Sequence, residues 1–128
     1  EFFFCPDASN NRYFNFELNP NGCLYLGLFK NRESYARLLP PNAQKLFNIR
    51  TERTHDGWTV SYQIPLSFIQ LFFPDFQLAP GQSIRANCYK CGDLTDHPHY
   101  LAWNPCTSEN PDFHRPVDFG LMTLGGRY

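Results

Sequence analysis

Long apolar runs are what this sequence most plainly lacks. No stretch approaches the ~20 consecutive apolar residues that a bilayer-spanning helix requires, so no membrane crossing is expected. Charge of one sign is missing too. Eleven Lys and Arg stand against 12 Asp and Glu, a formal net charge of -1, which leaves no basic footprint for a nucleic acid. Charged residues reach only 18% while aromatics reach 17%, a balance that excludes a disordered chain. There is no Gly-x-Ser-x-Gly nucleophile elbow. The first residues show no initiator Met and no succession of basic, apolar and small-residue zones. What is there, in 128 residues, suffices for one domain over 1–128, with roughly two thirds of its unfolded surface buriable.

Alternation dominates that material. Phe14, Phe16 and Leu18 share one face of a strand over 12–19, with Tyr13, Asn15 and Glu17 on the other. Asn19-Pro20-Asn21-Gly22 is turn chemistry, and a hairpin partner over 23–29 follows it. Further strands are predicted near 46–53, over 58–64 after the turn His55-Asp56-Gly57, over 83–91 and over 118–124. Within 83–91 the pattern points Ile84, Ala86 and Cys88 inward, and Arg85, Asn87 and Tyr89 outward. One short helix fits 66–73, with Ser67 as its N-cap. A turn or two more fits 31–45 before Pro40-Pro41 breaks it. Eleven Pro and eight Gly between short strands suit an all-β, antiparallel β-sandwich of jelly-roll type with one or two short helices. The chain opens on Glu1-Phe2-Phe3-Phe4-Cys5, which reads as the interior of a strand and implies a longer polypeptide.

Cys88-x-x-Cys91, followed by His97, His99, Cys106 and His114, invites a zinc reading. On a strand, however, residues three apart point to opposite faces and cannot share one metal. An odd count of five cysteines cannot pair completely, and mostly free thiols are expected. Paired carboxylates are the more serious catalytic idea. If 1–5 and 12–19 form a hairpin, Glu1 shares a face with Asn15 and Glu17, and the two glutamates could approach the ~5–5.5 Å separation of a retaining glycosidase. Solvated or ligand-binding carboxylates are the plain alternative.

Pro98-His99-Tyr100-Leu101-Ala102-Trp103-Asn104-Pro105 differs in kind. A Trp framed by Asn and Pro is costly to expose and poorly placed for core packing. A flat aromatic with planar polar neighbours grips the apolar face and hydroxyl rim of a sugar. An indole plugging one end of the sandwich is the alternative.

Three runs resemble the carbohydrate-binding module family 9-like domain: Arg85-Ala86-Asn87-Cys88-Tyr89-Lys90-Cys91-Gly92-Asp93, Pro98 through Pro105, and Pro111-Asp112-Phe113-His114-Arg115-Pro116-Val117-Asp118-Phe119-Gly120. Glu1 through Phe4, Tyr13 through Asn19 and Trp58 through Pro65 resemble its earlier strands in order, so the likeness covers essentially the whole chain. It implies non-catalytic binding of a terminal sugar of a plant-type polysaccharide or oligosaccharide, clamped between two Trp side chains, with calcium supporting the loops. One Trp is similar to Trp103. The other would precede Glu1. Glu1 is similar to a glutamate that bonds sugar hydroxyls, Asn15 falls near a family arginine, and Arg85, Asn87 and Tyr89 would look into the site.

Such domains are longer than this chain, so the likeness implies missing N-terminal strands, an edge and an apolar face for them or a partner chain to cover. The site expected is therefore Trp103, Glu1, Asn15, Glu17, Arg85, Asn87, Tyr89 and Asn104, with carbohydrate as partner. Asp7, Asp93, Asp96 and Asp112 are the carboxylates to hand for calcium. Alternatives are an interaction or scaffold domain of a larger glycoside hydrolase such as a xylanase, and a hydrolase using Glu1 and Glu17. Sugar binding favours an extracellular or cell-envelope setting, whereas free cysteines point the other way.

Overall fold

The computed structural model describes residues 1–7 and 9–126 and has nine strands among them, seven of which follow the alternating segments and the apolar opening of the chain. The single-domain reading of 1–128 includes Ala8, Arg127 and Tyr128, which lie outside the described residues. In chain order the strands are β1 (Phe2–Cys5), β2 (Tyr13–Leu18), β3 (Leu24–Phe29), β4 (Tyr35–Arg37), β5 (Arg50–Arg53), β6 (Trp58–Ser61), β7 (Ser83–Gly92), β8 (His99–Ala102) and β9 (Gly120–Thr123). Seven of them pair in one antiparallel sheet ordered β4-β3-β2-β1-β7-β8, with β9 also against β7. β5 and β6 form a second, two-stranded sheet. The architecture is the mostly-β sandwich that the sequence implies.

Local chemistry explains the hairpins. Gly22 takes φ +76, open to glycine without strain. Its N–H donates to the Asn19 carbonyl at 2.9 Å, while Asn19 Oδ1 accepts from Asn21 and Cys23 N–H at 3.0 Å. That turn sets the β2–β3 register, Tyr13 opposite Phe29 through Leu18 opposite Leu24. Gly57, whose carbonyl accepts from Thr54 N–H at 2.9 Å, closes the β5–β6 turn.

The helices are shorter than the spacing predicts. Ala43–Leu46 (α1) begins just past Pro40-Pro41. Leu66–Gln70 (α2) starts directly after Pro65, which takes the N-cap position and offers no side-chain acceptor, so Ser67 lies inside the helix rather than capping it. β4 and β8 were not anticipated. Both are short and mostly exposed, so neither carries the alternation that marks a half-buried strand.

Antiparallel register sorts the side chains onto two faces. Phe2, Phe4, Phe14, Phe16, Ala86 and Cys88 share the first; Phe3, Asn15, Arg85 and Asn87 share the second. The first face meets Phe47, Phe68, Ile69 and Phe73 from the helical segments, with Tyr62 packed against them. The second carries a separate core of Phe3, Cys5, Tyr13, Phe29, Tyr89 and Phe119, with Cys106 and Phe113 packed on it. Both faces are therefore covered, and the inward–outward reading of β7 needs correction. Asn87 and Tyr89 are buried, whereas Cys88 is exposed. The cause is the segment 103–119, which folds back over the second face and carries no periodicity to announce itself.

Candidate functional site

Register sets Glu1 beside Glu17. β1 pairs with β2 as Phe2 opposite Phe16 and Phe3 opposite Asn15, so one step further along the same ladder the two glutamates meet on the second face. Main-chain bonds fix Glu1 to β7: its N donates to the Tyr89 carbonyl at 2.8 Å and its carbonyl accepts from Tyr89 N–H at 2.9 Å. The shared face expected for these residues is present.

Open space flanks the pair. A cleft of about 470 Å³ is lined by Glu1, Glu17, Tyr25, Trp58, Lys90 and Cys91, among others. A second, of about 440 Å³, shares Glu1, Glu17 and Cys91 and runs to Asp93, Tyr100 and His114. Trp58 is 39% exposed, and the Arg37 guanidinium lies 5.3 Å from the Tyr25 ring centre. Three aromatic residues, Tyr25, Trp58 and Tyr89, and two carboxylates thus border one hollow.

Burial, then Glu17, then Asp93 push the Glu1 carboxyl up to about 7. A carbon-detected NMR titration should show a Glu1 midpoint near 7. In Glu17→Gln that midpoint should fall yet stay above the ordinary carboxylate range, because burial is the larger cause. A midpoint unmoved by Glu17→Gln would show that the two carboxyls do not feel each other. His114 shifts the other way. Burial among Phe3, Tyr13 and Phe29, then the Arg32 guanidinium, lower its pKa, and its Nδ1 lies 3.1 Å from Tyr13 Oη.

The thiols are quiet. Cys91 Sγ donates to Asp93 Oδ2 at 2.9 Å, and burial followed by Asp93 raises its pKa to about 11, which keeps it a neutral thiol. Cys88 and Cys91 lie on opposite faces of the continuous strand β7, so they cannot share a metal. Three of the four aspartates expected for calcium, all but Asp96, are bonded within the protein. Asp7 is bonded by Ser9, Asp93 by Cys91 and Tyr100, and Asp112 by Arg32 and the His114 N–H. Among the described residues no three His, Cys, Asp or Glu converge to hold a metal ion.

Three of the polar residues expected to face a ligand are spent inside the protein. Arg85 donates to the carbonyls of Pro116, Val117 and Phe119 at 2.9, 3.4 and 3.3 Å. Asn87, fully buried, donates to the carbonyls of Asn104 and Asp118 and accepts from the N–H of Cys88 and Asn104. Asn104 Nδ2 donates to the Asp118 carbonyl at 2.9 Å. Together they strap 103–119 onto the sheet. Tyr89 is buried against Phe113, ring centres 4.2 Å apart, yet also lines the first cleft. Asn15 is 1% exposed.

Trp103 is 54% exposed but lines neither cleft. Its N–H donates to the Cys88 carbonyl, and its ring lies over Gly120, which pairs with Ala86 on the first face. The fold therefore separates it from Glu1. Trp58, Tyr25 and Lys90 line the first cleft although the sequence does not single them out, since Trp58 reads simply as one more alternating strand position. Its place directly after an Asp-Gly turn, where burial is hardest, was the available signal.

Residues 1–124 match the model of carbohydrate-binding family 9. The chain belongs to that family. Its fold is similar to the crystal structure of a protein from Bacteroides uniformis ATCC 8492 named as a candidate carbohydrate-binding protein: TM-score 0.72, 27% identity, 96% of this chain and 59% of that one covered. This family 9 chain thus spans somewhat less than two thirds of that neighbour. No curated relative matches it. Family 9 membership supports carbohydrate as the partner and a generally non-catalytic role. Among the described residues no helix is long and apolar enough to cross a membrane.

Proposed function

We propose that the protein binds the terminal sugar of a polysaccharide or oligosaccharide, such as a plant xylan, in the cleft between Glu1, Glu17, Tyr25 and Trp58, without cleaving it. The observation that carries this reading is the coincidence of an exposed indole and two same-face carboxylates around one hollow of about 470 Å³. Trp58 supplies the flat apolar surface for the C–H face of a pyranose, Lys90 can donate to ring hydroxyls, and Glu1 and Glu17 can accept from them.

Calorimetry with glucose, xylose, cellobiose and xylobiose tests it. Trp58→Ala should weaken binding about tenfold, near 1.4 kcal/mol, the scale of one aromatic platform. Trp103→Ala should leave affinity within about twofold, since that change is far below one such platform. Loss confined to Trp103→Ala would move the site to the other face.

One observation favours a second reading. A Glu1 carboxyl near 7 with Glu17 on the same face is the kind of carboxyl pair from which glycosidases build acid and nucleophile. Release of reducing sugar from xylan or cellulose, abolished by Glu17→Gln, would establish it; no release is expected.

A further inference from the structure

We infer that the edge strand β4 and the apolar groove beside it dock an extended peptide whose apolar residues alternate with acidic ones. The peptide joins the large sheet as one more strand. The inference goes beyond sugar binding and does not depend on it, since this groove and the Glu1–Glu17 cleft share no lining residue.

Main-chain geometry supplies the first half of the argument. β4 ends the strand order of the large sheet, so only β3 pairs with it. Lys30 N–H donates to the Ser34 carbonyl and Leu38 N–H to the Leu26 carbonyl, each at 2.9 Å. Leu28 lies opposite Ala36 in the same register, so Ser34, Ala36 and Leu38 spend their main chain on β3. Tyr35 and Arg37 alternate with them. Their N–H and C=O groups turn outward and have no partner among the described residues. An edge left open in this way is a template for another strand.

The side chains around it select that strand. A groove of about 570 Å³ opens directly past Arg37, lined by Leu39, Pro40, Leu46, Phe68, Leu71 and Phe72 among others. It lies on the first face, where Phe68 and Phe72 join the core. Leu39 and Leu71 are 78% and 73% exposed, apolar surface that gains from being covered. The second face differs. There Tyr35 stacks on Phe29, ring centres 4.8 Å apart, and the Arg37 guanidinium lies by the Tyr25 ring. Arg37 has no salt-bridge partner among the described residues. From Tyr35 to Phe47 the chain holds Arg37 and Lys45 but neither Asp nor Glu, and 62–73 holds no charged residue. A strand laid against β4 sends alternate side chains to the two faces. Its apolar residues then enter the groove while its carboxylates meet Arg37. A second copy paired edge to edge would bring its own arginine instead of a carboxylate.

Fluorescence polarisation on the protein at pH 7 and low salt tests this with three labelled octapeptides. One alternates Asp with Val, one alternates Lys with Val, and one sets four Val before four Asp. The alternating Asp peptide should bind saturably, and the other two about tenfold more weakly. Arg37→Ala should weaken the Asp peptide about threefold, the scale of one exposed ion pair. Leu71→Asp, at an exposed position, should weaken it about tenfold, the scale of one apolar side chain denied its cover. Equal affinity for the Asp and Lys peptides, binding untouched by Leu71→Asp, or no saturation by about 1 mM overturns the inference. So does a dimer in sedimentation that Leu71→Asp dissociates, which would give the edge to a second copy.

Discussion

Asn87→Ala should lose about 3–5 kcal/mol of stability, a fall in Tm of roughly 10–20 °C by thermal unfolding. The side chain sits at the middle of β7, fully buried, and makes four hydrogen bonds through one amide. Three of them reach the segment 103–119: the Asn104 carbonyl at 2.9 Å, the Asp118 carbonyl at 3.2 Å and the Asn104 N–H at 2.8 Å. Truncation leaves the Asn104 carbonyl and N–H unpaired, each costing about 1–3 kcal/mol, adds a cavity, and leaves the Asp118 carbonyl with only its bond from Asn104 Nδ2.

A second variant separates hydrogen bonding from cavity formation. Asn87→Leu nearly conserves volume, yet the abandoned partners are main-chain atoms and cannot be removed with it. It should be about as destabilised as the alanine variant. Asn87→Asp keeps an acceptor for the two N–H groups but sets carboxylate oxygen against two carbonyls, so it should fare no better. Stability within about 0.5 kcal/mol of the parent for Asn87→Leu would show that the strap does not depend on this amide.

That residue also shows where sequence reasoning stops. Alternation placed Arg85, Asn87 and Tyr89 on one face, and the register confirms that they share it. A period of two reports which side chains point together and says nothing about what lies above them. Here the cover comes from residues 103–119, a segment rich in Pro, Asn and Asp whose backbone follows no repeat. The polar side chains on β7 read as ligand contacts because polar residues on a strand ordinarily meet water; Asn87 instead meets the carbonyls of Asn104 and Asp118. The pairing of Glu1 with Glu17 was legible because it needs only the β1–β2 hairpin, and the turn at Asn19–Gly22 was legible because Pro and Gly restrict φ locally. Which of Trp58 and Trp103 borders the Glu1–Glu17 cleft was not, since it depends on how the second sheet sits against the first.

Phe14→Ala should be as damaging on the first face as the loss of Asn87 is on the second. Phe14 is fully buried, and its ring lies 5.3–6.1 Å from those of Phe4, Phe16, Phe68, Phe72 and Phe73. Those partners come from β1, β2, α2 and the turn after it, so one side chain joins the sheet to the helical cover. Truncation costs about 3–5 kcal/mol, the transfer of the ring plus the cavity it leaves, and should lower Tm by roughly 10–20 °C. The cavity resists collapse because three of the five rings around it are held by other contacts, Phe4 by Phe16, Phe16 by Phe47 and Phe68 by both. Phe14→Leu, which keeps most of the volume, should cost about 1–2 kcal/mol, and Leu39→Ala, 78% exposed, about 0.5 or less. Equal losses in Phe14→Leu and Phe14→Ala would mean that ring shape rather than buried volume governs the joint. Since Glu17 stands three residues along the same strand, sugar affinity measured below the transition should stay within about twofold in Phe14→Leu, because the cleft is set by the register of β2 and not by the packing on its far side.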